Sequence, residues 1–137
     1  MSLLWPMLAQ IGWTFLLYIW LTIARRRAVQ AGEVKYDDFA RHDEPHDVAR
    51  IAYNLSNQFE LPVIFYVVVV LLIATNNVAP IDVIVAWVFV AGRVAHTLIQ
   101  CRTDNVPLRG QVFLINFVGV AVLAGHIALL AFQGLGR

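Results

Sequence analysis

Charge is scarce in this chain. Of its 137 residues only 14% are Asp, Glu, Lys or Arg, while 60% are hydrophobic. Soluble domains carry about 25% charged and about 45–50% apolar residues. A soluble fold of this length would lack the polar surface to cover itself, so the excess must face lipid or partner subunits. Cysteine is nearly missing too: Cys101 stands alone, which excludes an internal disulfide. The net charge is +1 and no basic stripe runs along the chain, so nothing points to nucleic acid. No basic residue precedes Arg25, so the first apolar stretch lacks the charged start of a secretory signal. There is no internal repeat and no low-complexity tract, and the length permits one compact domain.

What is present is four apolar runs, each near the roughly 20 residues a membrane-crossing helix needs. They predict an all-α membrane protein, a single four-helix domain over 1–137 with helices at about 3–24, 46–74, 81–101 and 108–132. Trp5, Trp13, Tyr18 and Trp20 are spread along the first, and Arg25-Arg26-Arg27 closes it as a stop-transfer signal. Residues 25–47 form a polar loop of both signs, and Pro45 marks the start of the second helix. Pro62 predicts a kink where that helix passes from an amphipathic half, His46–Glu60, to an aliphatic half, Leu61–Ala74. Thr75-Asn76-Asn77 with Pro80, and the segment 102–108 ending near Pro107, are short turns. Gly134 and Gly136 end the fourth helix. Basic residues concentrate at 25–50 and 102–109, the 75–82 turn and the N-terminus have none, and Arg137 is the lone exception. Both charged loops are therefore expected on the cytoplasmic side and both termini on the opposite side.

Polar side chains inside a span are costly and turn towards protein or a cavity. Projected at about 100° per residue, His46, Arg50, Tyr53, Asn54, Asn57 and Glu60 share one face of helix two. Arg93, His96, Thr97 and Gln100 share a face of helix three through i, i+3, i+4 and i+7 spacing. Arg109 opens helix four, and Asn116 follows on the same side. Glu60 lies roughly 15 Å deeper than Arg50, and Arg93 roughly 10 Å from the same boundary, depths at which the two can pair. Together these faces predict a polar, arginine-containing cavity open to the cytoplasm and suited to a small anion with several carboxylates. Arginine forks match carboxylates, and an arginine also holds a thiolate.

Two stretches carry a family resemblance. Asn57-Gln58-Phe59-Glu60-Leu61-Pro62 is similar to an Asn-x-x-Glu followed shortly by Pro, and Arg93-Val94-Ala95-His96-Thr97 with Pro107-Leu108-Arg109 resembles Arg-x-x-His-Thr and Pro-x-Arg at the same spacing. These are motifs of the membrane-associated proteins in eicosanoid and glutathione metabolism, nearest to their prostaglandin E synthase branch. The resemblance implies a homotrimer of four-helix subunits with glutathione, a co-substrate, bound between neighbours near the cytoplasmic face. It implies Arg109 beside the thiol as the catalytic residue, and Arg50, Asn57, Glu60, Arg93 and His96 as glutathione contacts or their supports. The chain departs from that branch at Gln100, where a tyrosine is usual, at Gly110, where a serine is, and at Tyr53, where an arginine is. Whether Asn54 or Asn57 is the motif asparagine stays open.

Each feature also has a plainer reading. Arg25–Arg27 are expected to be topology determinants alone. Arg50, Arg102 and Arg109 can snorkel to headgroups, and Glu60 with Arg93 can be a purely structural ion pair. His126 is expected to be a packing or interfacial residue, Cys101 inert, and Gly119 and Gly125 places of close helix packing. His42 and His46 have no metal-ligand spacing, and no metal is expected. The leading expectation is a glutathione-dependent membrane transferase or peroxidase acting on lipophilic electrophiles that enter from membrane lipid. The alternatives are a non-catalytic lipid- or partner-binding member of the same fold, and a small transporter subunit. The topology is open to direct measurement: a cysteine introduced in the 75–80 turn is expected to react with an impermeant thiol reagent on intact cells. Reaction only after permeabilisation would reverse the orientation.

Overall fold

The computed structural model describes residues 2–135. Gly136 and Arg137, invoked above for the helix end and the charge count, lie outside them. Six α-helices and one short 3-10 turn follow one another, with no strand among the described residues. Helix α1 spans Leu4–Gln30, α2 Tyr36–Ala40, α3 His46–Ser56, α4 Leu61–Ala74, α5 Pro80–Arg102 and α6 Val106–Leu135. The 3-10 turn Asn57–Phe59 joins α3 to α4. Four stretches are long and apolar enough to cross a membrane: Leu4–Gln30, His46–Ala74, Pro80–Arg102 and Val106–Gly134. This is an all-α bundle of four membrane spans, an integral multi-pass membrane protein.

The first helix does not stop at the arginines but continues to Gln30. Nothing in Arg25-Arg26-Arg27-Ala28-Val29-Gln30 opposes helix, and arginine is a good helix former. Termination comes at Gly32, whose φ of +74° suits a residue without Cβ. The loop beyond it contains α2, whose start is held by Asp38 accepting the Lys35 backbone N–H at 2.8 Å. That bond, with the Arg41 guanidinium, holds the partly exposed Asp38 carboxyl below its ordinary pKa. The turn is therefore supported above the ordinary carboxylate pKa and loosens as pH falls through the lowered one.

Helix two is interrupted rather than merely kinked. Pro62 sits in the first turn of α4. Having no N–H, it cannot bond the carbonyl four residues earlier, and its ring crowds that carbonyl. The chain relaxes through the 3-10 turn and through Glu60, whose φ and ψ are both −104°.

The half of the bundle away from the basic loops has an apolar core. Phe65 and Phe89 stack with centroids 4.3 Å apart, among Leu3, Val69, Leu72, Ala86 and Leu123, each fully buried. Helices α5 and α6 form a closely packed hairpin. A Cβ placed on Gly92 would lie 2.0 Å from Asn116 Oδ1, so a hydrogen is all that fits there. Gly119 is in ordinary contact with Val85, whereas a Cβ at Gly125 would meet nothing within 4 Å. The expected tight glycine contact at Gly125 is therefore absent, because that position faces outward; the tight one is Gly92. Near the same end, the buried Asp82 accepts the Ala79 N–H at 2.8 Å and lies 3.0 Å from His126 Nδ1. His126 thus has a specific partner and is more than a packing residue.

Gly92→Ala is expected to cost about 1–3 kcal/mol by overpacking. Unfolding in detergent measures it. The double variant Gly92→Ala, Asn116→Ala should recover most of that loss; additive losses would show that the contact does not set the α5–α6 spacing.

Candidate functional site

Where α3 meets α5, the polar faces interlock into a buried network. Asn54 is fully buried at its centre. Its amide donates to Gln100 Oε1 at 2.9 Å and approaches His96 Nδ1 at 3.5 Å. Its oxygen accepts from Thr97 Oγ1 at 2.8 Å and from Gln58 Nε2 at 3.2 Å. Helix α1 joins through Trp13, whose indole N–H donates to Thr97 at 3.2 Å, and through Gln10, which donates to Gln58 Oε1 at 3.1 Å. Such groups are retained in a membrane only when they bond one another.

Arg93 is 1% exposed, the largest fully buried side chain of the fold. Its Nε donates to Gln58 Oε1 at 3.3 Å and its Nη2 to the Asn57 carbonyl at 3.0 Å. That carbonyl belongs to the 3-10 turn, so the guanidinium supplies donors at the point where Pro62 disturbs the helical ladder. No Glu60–Arg93 ion pair within 4.0 Å forms among the described residues. Glu60 is exposed. The expected pairing fails for a geometric reason: a 3-10 turn advances about 120° per residue, and with the irregular Glu60 backbone it swings that carboxylate off the α3 face.

Above this network lies a cavity of about 580 Å³ at the end of the bundle that carries the basic loops. Arg50, Asn57, His96 and Arg109 line it, with Gln100 and Gly110 beside them. Four of the six proposed site residues therefore converge, Arg93 lies beneath them as a support, and Glu60 does not line the cavity. Helix α3 delivers Arg50 and Tyr53, and the 3-10 turn that follows it delivers Asn57, at i, i+3 and i+7 spacing. Asn54, turned inward, is a support, and Asn57 is the asparagine that reaches the cavity. Gln100 Oε1 is already taken by Asn54 and Asn57, the latter at 3.2 Å.

The two cavity arginines differ. Arg50 bonds the Thr103 carbonyl and pairs with Asp104 at 2.7 Å, tying α3 to the α5–α6 turn. Arg109, half-buried on the α6 wall, has no ion-pair partner among the described residues. The cavity therefore presents one uncompensated guanidinium, a bidentate donor for an anion. Neither Asn54's central place nor Gln58's part in holding Arg93 was legible beforehand. An Asn-x-x-x-Gln repeat on one helical face was the signal, obscured by equally polar neighbours. No group of three His, Cys, Asp or Glu side chains able to hold a metal occurs among the described residues.

Four membrane spans with a cavity at the end that carries the basic loops define a membrane-embedded helical-bundle protein. More particularly, the chain belongs to the MAPEG family, whose model matches residues 3–129. That family is the one of eicosanoid and glutathione metabolism. No curated protein matches the chain.

Because Arg93 bonds the broken helix and not Glu60, Arg93→Met should lose about 1.5–3 kcal/mol of stability, the range for a hydrogen bond to a charged group. Glu60→Gln should change it by less than about 0.5 kcal/mol. Comparable losses in denaturant titrations would reinstate the ion pair.

Proposed function

We propose that this protein is a glutathione-dependent membrane transferase or peroxidase acting on lipophilic electrophiles, and that it works as a homotrimer with the basic loops in the cytoplasm. The observation that carries the reading is the unpaired Arg109 guanidinium in a cavity that also presents Arg50, Asn57 and His96. At about 580 Å³ the cavity is in the size range of small-molecule sites. Glutathione offers two carboxylates, an ammonium and a thiol. Binding would open the Arg50–Asp104 pair, so that Arg50 and Asn57 receive a carboxylate and Asp104 the ammonium, while Arg109 receives the sulfur. A planar fork beside the sulfur favours the thiolate, the nucleophilic form; each unit by which a thiol pKa falls corresponds to about 1.4 kcal/mol. His96 orients through its contact with Asn54, 3.5 Å away. The lipophilic substrate would arrive laterally from the bilayer.

Glu60 supports the oligomer. It lies within a span, roughly 15 Å deeper than Arg50, yet it is exposed in the single chain. A charge at such depth costs about 2.5–3.5 kcal/mol on insertion scales, and a neighbouring subunit would cover it. The stacked apolar core of the opposite half speaks against a transport path. The second reading, a non-catalytic member that binds lipid or a partner, is favoured by Gln100, whose oxygen is spoken for, and by Gly110, which offers no side chain.

Arg109→Lys separates the readings. Lysine keeps the charge but loses the fork. The variant is expected to remain trimeric by native mass spectrometry and largely to keep glutathione affinity. It should lose most conjugation of a generic aryl halide together with the ultraviolet thiolate signal of bound glutathione. A lysine variant as active as the wild type, or a wild type without thiolate signal, would favour the non-catalytic reading.

A further inference from the structure

A second cavity, of about 400 Å³, opens on the neighbouring face of α3, between α1 and the segment leading into α3. Tyr53 alone lines both cavities. The second one is amphipathic along its length. Tyr18, Leu21, Leu55, Ser56 and Phe59 lie towards one end, and Arg25, His42 and Glu44 towards the other. Tyr18 and Phe59 meet edge to face at 6.3 Å and are about half exposed at the bundle surface. Arg25 lies seven residues, roughly 10 Å, along α1 from Tyr18, at the end of the first apolar run. The polar end is thus at headgroup depth and the aromatic end within the acyl region.

The polar end is not a bland stop-transfer cluster. Arg25 pairs with Glu44 through Nη2 and Oε1, and its guanidinium lies 5.0 Å from the Phe39 ring centroid. The Glu44 side chain is 3% exposed. Yet Glu44 Oε2 and Arg25 Nε are buried without any hydrogen-bond partner. A carboxylate oxygen desolvated in this way calls for a donor, and the guanidinium N–H beside it calls for an acceptor. A headgroup that bears an N–H donor and an anionic oxygen answers both.

We infer that this cavity is a binding site for a phospholipid whose headgroup bears a primary ammonium, phosphatidylethanolamine. The ammonium donates to the Glu44 carboxylate, the phosphodiester oxygens accept from Arg25, and the acyl chains leave past Tyr18 and Phe59 into the bilayer. Because Glu44 neutralises Arg25, the pair attracts a zwitterion and gives no preference to an anionic headgroup. Because the unpartnered atom on Glu44 is an acceptor, a quaternary choline, which has no N–H, cannot satisfy it. The inference stands apart from the proposed transferase activity, since it uses neither Arg109 nor glutathione.

Native mass spectrometry of the delipidated protein in detergent, without glutathione, tests it with short-chain phospholipids. Ethanolamine lipid should be retained about tenfold over choline lipid, the ratio expected for one hydrogen bond to a charged group, and also over glycerol lipid. Soluble phosphoethanolamine should not compete. Glu44→Gln should bring ethanolamine and choline lipids to equal retention while the glutathione affinity is unchanged. Should that variant fail to fold, the wild type with mono-, di- and trimethylated ethanolamine lipids tests the same point, with retention falling as N–H donors are removed. Equal retention of all headgroups, preference for the anionic lipid, no retained lipid, or full competition by phosphoethanolamine would each overturn the inference.

Discussion

Inside a bilayer no water relieves an unpaired backbone group, and helix two contains a proline that creates the risk of one. Much of the polar architecture follows from this constraint. The buried Arg93 guanidinium reaches the Asn57 carbonyl at 3.0 Å, beside the interruption. Gln58, at the same turn, accepts from both Arg93 and Gln10, which brings α1 to the same point. Asn54, one turn earlier, then meets Thr97, Gln100 and His96 of α5. Three helices are registered against one another by bonds that converge near the break in the second.

The cavity rests on this layer. Its floor is immobilised by the network, one wall is α3, and the other is the α5–α6 hairpin that Gly92 and Asn116 hold close. Arg50 bridges the walls at the mouth through the Thr103 carbonyl and Asp104. With Arg50 so engaged, Arg109 is the cavity guanidinium without a carboxylate beside it among the described residues. The charge character of the site therefore depends as much on which arginine is neutralised as on how many there are. Below the network the core is apolar and stacked, and the buried Asp82 with His126 closes its far end.

Composition and the four apolar runs sufficed to expect a four-span helical bundle, because a membrane imposes length and hydrophobicity on each segment independently of its neighbours. The shared face of Arg93, His96, Thr97 and Gln100 was equally legible, since α5 is regular and all four are buried. Helix two was harder. A single 100° projection carried Glu60 onto the face of Arg50, and the 3-10 turn breaks that projection after Ser56. The roles of Gln58 and Asn54 depend on which neighbour meets which residue, information that a one-helix pattern does not contain. The same holds for Arg25, whose value as a topology signal hid its contact with Glu44 from another segment, and for Gly92, one of several small residues in α5.

The broken second span has a mechanical meaning. A continuous α-helix transmits bending and torsion along its hydrogen-bond ladder. Here the ladder is interrupted between Ser56 and Leu61, and the joint is fastened sideways to α5 by Arg93 rather than lengthwise to itself. The span behaves as two rods on a fixed pin. The aliphatic rod α4 is set by the apolar core, through Phe65, Val69 and Leu72, while the polar rod α3 is set by the network beside the cavity, so the two halves of one span answer to different neighbours.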